Sequence, residues 1–199
     1  MTSHFEQGSD AWRLARLGKV TASRVSDARA KKGTAARSGY IADIIAERLT
    51  NNPAESFSNS YMEWGTTNEP LARAAYQIFT GNWVEQTGLV DHPTIPNFAA
   101  SPDGLIGDDG LIEIKCPKTS THISYLTAKE VPSGYKHQML AQMACTGRRW
   151  VDFVSFDPRL PEKLQLFVAR FEPPEKDVKS LEDDVVAFLN EVTQQMERL

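Results

Sequence analysis

Two carboxylates and a lysine stand in this chain in an order that suits metal-assisted chemistry. Ser101-Pro102-Asp103-Gly104 is followed by Ile112-Glu113-Ile114-Lys115, which begins nine residues past the aspartate. Asp103 and Glu113 can hold a hard divalent cation, which favours oxygen ligands. A lysine beside that cation can position or deprotonate an attacking water and offset charge building on a phosphate. The chemistry that fits is hydrolysis of a phosphodiester. The bland alternative is an Asp-Gly turn followed by a strand whose Glu-x-Lys face is merely solvated, and spacing alone leaves both open. An EF-hand does not fit, because the regular alternation of oxygen ligands in a calcium loop is missing.

The elements that must position these groups are legible nearby. Gly107-Asp108-Asp109-Gly110 is a hairpin signal. Leu111-Ile112-Glu113-Ile114-Lys115 alternates in type, so a strand there puts Glu113 and Lys115 on one face and Ile112 and Ile114 on the other. A hairpin would return Glu113 to the side of Asp103, and Pro117 ends the strand just past Lys115.

With Glu113-Ile114-Lys115-Cys116-Pro117, the Ser-Pro-Asp-Gly segment resembles the core of the PD-(D/E)xK nuclease superfamily. More narrowly, it resembles the phage lambda-type 5′→3′ exonucleases, the YqaJ-like viral recombinase group. Gln7-Gly8-Ser9-Asp10-Ala11-Trp12, Arg16-Leu17-Gly18 and Thr21-Ala22-Ser23 are similar to the family's N-terminal motif. Trp64-Gly65 with Glu69 resembles the next, and the Gln138 helix and Phe156-Asp157-Pro158-Arg159 resemble the last two. The ordered matches span roughly residues 7 to 159.

That resemblance implies a restriction-endonuclease-like α/β core and a Mg²⁺-dependent exodeoxyribonuclease, with two ions during catalysis and Mn²⁺ as a substitute. Asp103, Glu113 and the Ile114 backbone carbonyl would be the protein's metal ligands, Lys115 would orient the water, and Glu69 would stand near the metals. On its own, Glu69 beside Pro70 reads as a dipole or capping group near a helix start. Arg16, Ser23 and Ser101 suit a terminal phosphate, and in the resembled family these positions form a 5′-phosphate pocket. Gln138 would join that pocket or the edge of the metal site. Gln142, one turn along, reads as a support for it or as core lining. Holding the 5′-phosphate would select the next phosphodiester, release mononucleotides and leave a 3′ overhang. The family further implies a ring-shaped homotrimer around duplex DNA, and a single-strand annealing protein of the same phage or prophage as partner. Tyr61-Met62 reads either as a wedge at the duplex end or as core packing. Two rival functions remain, a PD-(D/E)xK endonuclease and a catalytically silent DNA-end-binding protein.

Global properties agree with these expectations. The 199 residues suit a single nuclease domain over 1–199, with 41% hydrophobic and 24% charged residues. No apolar run approaches the ~20 residues that span a bilayer, and the N-terminal residues lack a secretion signal, so the bacterial cytoplasm is the expected setting. Two cysteines are too few for a disulfide scaffold or a four-cysteine cluster. The net charge of −4 is concentrated at the end: residues 172–199 carry eight acids and three bases, leaving 19 bases and 18 acids in residues 1–171. Arg29, Lys31, Lys32 and Arg37 lie in an acid-free stretch that reads as a mobile loop, either merely solvated or resting on the DNA backbone.

The coarse order is α then β. Ser9 and Thr21 can cap short helices, and Tyr40, Ile41, Ile44, Ile45 and Leu49 follow helical spacing. A helix after Trp64 would turn Leu71, Ala75, Ile78 and Phe79 to the core and stop at Gly81. Strands are expected near 83–90, 97–101, 111–116, 149–156 and 163–171, with helices near 120–129 and 134–146. An acidic amphipathic helix near 174–198 would bury Val178, Leu181, Val185, Phe188, Val192 and Met196. The class is α/β, a mixed sheet flanked by helices.

Overall fold

The computed structural model describes Phe5 and residues 7–53 and 60–199, with the backbone alone at 60–62. The proposed wedge at Tyr61 and Met62 therefore lies outside the described side chains. The elements run α1 (Asp10–Ala15), β1 (Val20–Thr21), α2 (Val25–Ala28), α3 (Ala35–Thr50), α4 (Ser60–Thr80), β2 (Val90–Asp91), β3 (Phe98–Ala100), β4 (Gly104–Ile106), β5 (Gly110–Lys115), α5 (Thr119–Ala128), α6 (Ser133–Thr146), β6 (Trp150–Phe156), β7 (Leu166–Phe171) and α7 (Glu175–Met196). The α/β class and the mixed pairing are as expected, but the described strands form two sheets. One has the order β1-β3-β2 and the other β4-β5-β6-β7. Between β3 and β4 the chain passes through Ser101-Pro102-Asp103, where a proline supplies no ladder donor. The break in the sheet thus falls at Asp103.

The hairpin forms as the glycines require, with Gly104 opposite Ile112 and Ile106 opposite Gly110. Arg148 Nη1 donates to the carbonyls of Ile106, Gly107 and Gly110 and so clamps the turn. Gly104 must be glycine, because a Cβ there would stand 2.2 Å from Val84 Cγ1 and 3.2 Å from the Glu85 carbonyl oxygen. β5 then pairs in parallel with β6, setting Glu113 beside Phe153 and Lys115 beside Ser155.

The last helix follows its sequence pattern: Leu181, Val185, Phe188 and Val192 are fully buried against α3 and α6, with Val178 and Met196 packed at the rim. Its acids reach back to the basic stretch. Arg29 pairs with Asp184 at 2.8 Å, Lys32 with Glu191 at 2.7 Å, and Arg37 with Glu191 at 3.0 Å. Arg37 lies inside α3 and is buried, and Glu191 is held below the usual carboxylate range chiefly by that guanidinium. The expectation of a mobile loop is not met there: three of its four cations staple α7 to the helices near the chain start.

Four further expectations change. Thr21 makes no capping bond, and a 3₁₀ turn over Ala22–Arg24 precedes α2. The strand near 83–90 shrinks to a bridge at Glu85 and the two residues of β2. Glu69 sits mid-helix, because α4 begins upstream at residue 60 and carries Pro70 inside it. The core-facing side of α4 is Asn68, Ala72 and Tyr76, whereas Leu71, Ile78 and Phe79 are exposed. Tyr76 decides that rotation, since its hydroxyl donates to buried Asp152 at 2.7 Å.

Candidate active site

Asp103 leaves the β3–β4 break and its Oδ2 accepts from the backbone N–H of Ile114 at 2.7 Å. Glu113 is 1% exposed and faces α6, where Gln138 Nε2 donates to Oε1 at 2.7 Å and Gln142 Nε2 donates to Oε2. Lys115 ion-pairs with Glu113 and lies 5.3 Å from the centre of the Tyr135 ring. Tyr135 stacks in turn on Phe153, ring centres 5.2 Å apart. Strand alternation thus puts Glu113 and Lys115 on the α6 face, while Ile112 and Ile114 pack toward Ala72 and Tyr76 of α4. Glu69 is bound to Arg73, whose Nη2 also donates to the Asp103 carbonyl at 3.3 Å.

Electrostatics mark the centre as short of positive charge. Burial first, and Glu113 second, push the Asp103 carboxyl well above its ordinary range. Burial also raises Glu69, against the pull of Arg73 and Lys115. Desolvation opposes the charge on Lys115, but Glu113 and Asp103 outweigh it and hold the ammonium protonated to unusually high pH. A divalent cation would relieve the repulsion among the carboxylates. Among the described residues no group of three or more His, Cys, Asp and Glu side chains is placed to hold a metal. The donor set that could hold one is thin, two carboxylates and a main-chain carbonyl. It suits an ion that keeps several waters, as Mg²⁺ does.

A second constellation forms on the Asp103 side. Ser9 caps α1, accepting from the Trp12 N–H, and the Trp12 indole N–H donates to Ser101 Oγ at 2.9 Å. The Arg16 guanidinium lies over the Trp12 ring at 4.0 Å and reaches Ser23 Oγ at 3.5 Å. Gln7 Nε2 ties the same segment to the Pro102 carbonyl at 2.9 Å. Arg16 and Ser101 thus meet at Trp12, with Ser23 reached through Arg16, and Ser101 lies two residues before Asp103. Among the described residues no carboxylate forms an ion pair with Arg16, and burial lowers its pKa. Gln138 is not part of this group, since its amide is spent on Glu113.

The structure adds residues for which sequence reasoning had no role. Trp12 is the hub of the Arg16 group, Tyr135 underlies Lys115, and Arg73 bridges Glu69 to the Asp103 main chain. Trp12 and Arg73 lie within the quoted motifs or four residues past Glu69, but contacts 89 and 30 residues apart in sequence are invisible to spacing.

Residues 11–149 match the YqaJ-like viral recombinase domain family. The solved structure of LHK-Exo in complex with dAMP matches with a TM-score of 0.90 at 49% sequence identity, covering 96% of this chain and 95% of that chain. A structure of an alkaline exonuclease (LHK-Exo) from Laribacter hongkongensis matches with a TM-score of 0.89 at 49% identity and the same coverage. A phage related exonuclease from Haemophilus somnus 129PT shares the fold, with a TM-score of 0.72 at 15% identity over 90% of this chain and 96% of that one. No curated protein sequence matches the chain.

Proposed function

The chain belongs to the YqaJ-like viral recombinase domain family, and on that premise we propose that it is a Mg²⁺-dependent 5′→3′ exodeoxyribonuclease acting on linear duplex DNA. The observation that carries this reading is the placing of Arg16, which among the described residues forms no ion pair with a carboxylate, beside Ser101, two residues from the Asp103–Glu113–Lys115 centre. A metal centre alone cuts anywhere along DNA. A centre flanked by a cation that takes a terminal phosphate cuts at a fixed distance from an end.

In this reading Asp103, Glu113 and the Ile114 carbonyl would hold the metal, which when bound would supply water activation and charge neutralisation at the phosphate. Gln138 and Gln142 fix both oxygens of Glu113 so that its lone pairs are presented in one orientation. Lys115, protonated and steadied on Tyr135, stabilises charge on the phosphate and orients the water rather than taking its proton. Glu69, held by Arg73, stands at the edge of the site. Arg16 with Ser23 and Ser101 takes the terminal 5′-phosphate, and each cleavage exposes the next one. A 49%-identical structure solved with dAMP supports a mononucleotide product.

The reading includes a single domain over 1–199, action in the bacterial cytoplasm, and a phage or prophage annealing protein as partner for the 3′ overhang. An exposed apolar row on α4 supports a homotrimer: Leu71, Ile78 and Phe79, with Trp83 just beyond, are 55%, 86%, 72% and 77% exposed. Such rows on otherwise polar surfaces mark contact sites. The test is product analysis with Mg²⁺ on a linear duplex and a covalently closed circle of the same sequence. Mononucleotides from the linear DNA and an intact circle support the exonuclease. Cutting of the circle replaces it with an endonuclease.

A further inference from the structure

The Phe156-Asp157-Pro158-Arg159 segment has no part in the reaction as described so far, yet the structure builds it with care. Asp157 is fully buried and both its oxygens are used. Oδ1 accepts from Arg159 Nε at 2.7 Å and from the Arg159 N–H at 3.0 Å; Oδ2 accepts from Arg159 Nη2 at 2.9 Å and from the Thr119 hydroxyl at 2.6 Å. The guanidinium lies 4.4 Å over the Trp64 ring, and Nη2 also reaches the Pro117 carbonyl at 3.4 Å. A long flexible side chain is therefore held in one pose, with little conformational entropy left to lose on binding. Its side chain is 47% exposed, and among the described residues Nη1 makes no hydrogen bond.

Its location is informative. β5 and β6 are parallel and in register at Lys115 and Ser155, so Pro117 and Asp157–Arg159 follow from the same strand ends. Those are the carboxyl ends, where open α/β sheets place ligands. The order β4-β5-β6 puts Asp103 on one side of the β5 residues and Arg159 on the other. Arg16, joined to Asp103 through Trp12 and Ser101, is on the first side. The two arginines flank the cutting centre.

We propose that Arg159 is a phosphate-binding residue that grips the DNA backbone on the flank of the metal centre opposite Arg16. This rests on the nuclease reading above. A planar donor fork with a free N–H edge recognises a phosphate oxygen irrespective of base. Asp157 and Trp64 orient that fork and do not touch the DNA. A staple that only closed the 157–165 loop would not need the ring of Trp64, nor leave Nη1 without a hydrogen bond among the described residues.

The test uses the full-length protein and end-phosphorylated duplexes in which one backbone link at a time is a neutral methylphosphonate. Wild type should show one link, outside the cleaved one, where loss of charge raises KM several-fold; Arg159→Gln should be indifferent to that link. The same variant should raise KM on ordinary DNA about five- to tenfold with kcat within about twofold, and flatten the salt dependence of binding by about one phosphate contact. Identical methylphosphonate profiles, KM and salt slope in variant and wild type would overturn the proposal while leaving the nuclease reading intact. A wild type that neither binds nor digests duplex DNA would remove that reading, and the proposal with it. If Arg159→Gln fails to fold, the profile is read on Arg159→Lys. That variant keeps the charge beside Asp157 but loses the planar fork, so a weakened response at the same link supports the contact and an unchanged profile rejects it.

Discussion

The Ile114 N–H donates to Asp103 Oδ2 at 2.7 Å, joining two residues eleven apart in sequence across the mouth of the β4–β5 hairpin. This bond fixes the aspartate against the strand that carries Glu113 and Lys115. Among the described residues Asp103 Oδ1 accepts no hydrogen bond, so in the proposed reading it is the oxygen that would take a cation. An asparagine can accept the same bond through its amide oxygen, so geometry and charge can be separated by one substitution.

Asp103→Asn should fold normally and lose activity by about a thousandfold or more, the scale on which removing a charged partner of the transition state acts. Calorimetric titration should show Mg²⁺ binding weakened in parallel. Metal-free, the variant should be at least as heat-stable as wild type at neutral pH, because burial and Glu113 already disfavour the aspartate's charge. A less stable variant with normal Mg²⁺ binding would contradict this.

Asp157 predicts an acid limb of stability. Its pKa is lowered from 3.8 to about 2, against the effect of burial, by the Arg159 and Thr119 hydrogen bonds. A lowered carboxyl contributes stability that is complete above its unfolded pKa and lost as pH falls through the folded one. The stability gap between wild type and Asp157→Asn should thus be full above about pH 5 and close as pH falls toward about 2. Chemical denaturation at a series of pH values measures it; a gap constant down to pH 2 would be the contrary result.

Arg37 should matter for stability and not for DNA. It is buried, and it pairs with Glu191 through Nε and Nη2, both at 3.0 Å. Arg37→Ala should cost about 2–3 kcal/mol in urea unfolding, somewhat under the figure for breaking a fully buried pair because Glu191 is partly exposed. Lys32→Ala, whose side chain is 78% exposed, should change stability by less than about 1 kcal/mol. Lys31, exposed in the same stretch, remains the residue there whose neutralisation should flatten the salt dependence of DNA binding.

Legibility in the sequence followed the range of the contacts. The hairpin and the last helix were readable because Gly107–Gly110 and the Leu181, Val185, Phe188, Val192 row act through neighbours a few residues away. The acid, acid and lysine order was readable for the same reason. The face of α4 was misread because apolar spacing marks a helix without saying which side is covered. The Tyr76–Asp152 bond, 76 residues apart in sequence, chose the side carrying Ala72 over the one carrying Ile78 and Phe79. Pro70 misplaced the helix start because proline is commonest in a first turn, and here the helix runs through it. The ion pairs of the basic stretch were not readable because its acidic partners lie on α7, about 150 residues away.

The most direct test of the account compares initial Mg²⁺-dependent digestion rates on one duplex bearing either a 5′-phosphate or a 5′-hydroxyl, for wild type and Arg16→Ala. Wild type should prefer the phosphorylated end by at least about tenfold, the equivalent of one charge-assisted contact of roughly 1.4 kcal/mol. Arg16→Ala should lose the preference mainly by slowing on the phosphorylated end, with the hydroxyl end little changed. A wild type indifferent to the end group, or an Arg16→Ala that keeps the preference, would contradict the end-directed mechanism and leave only a nuclease centre without a reading of DNA ends.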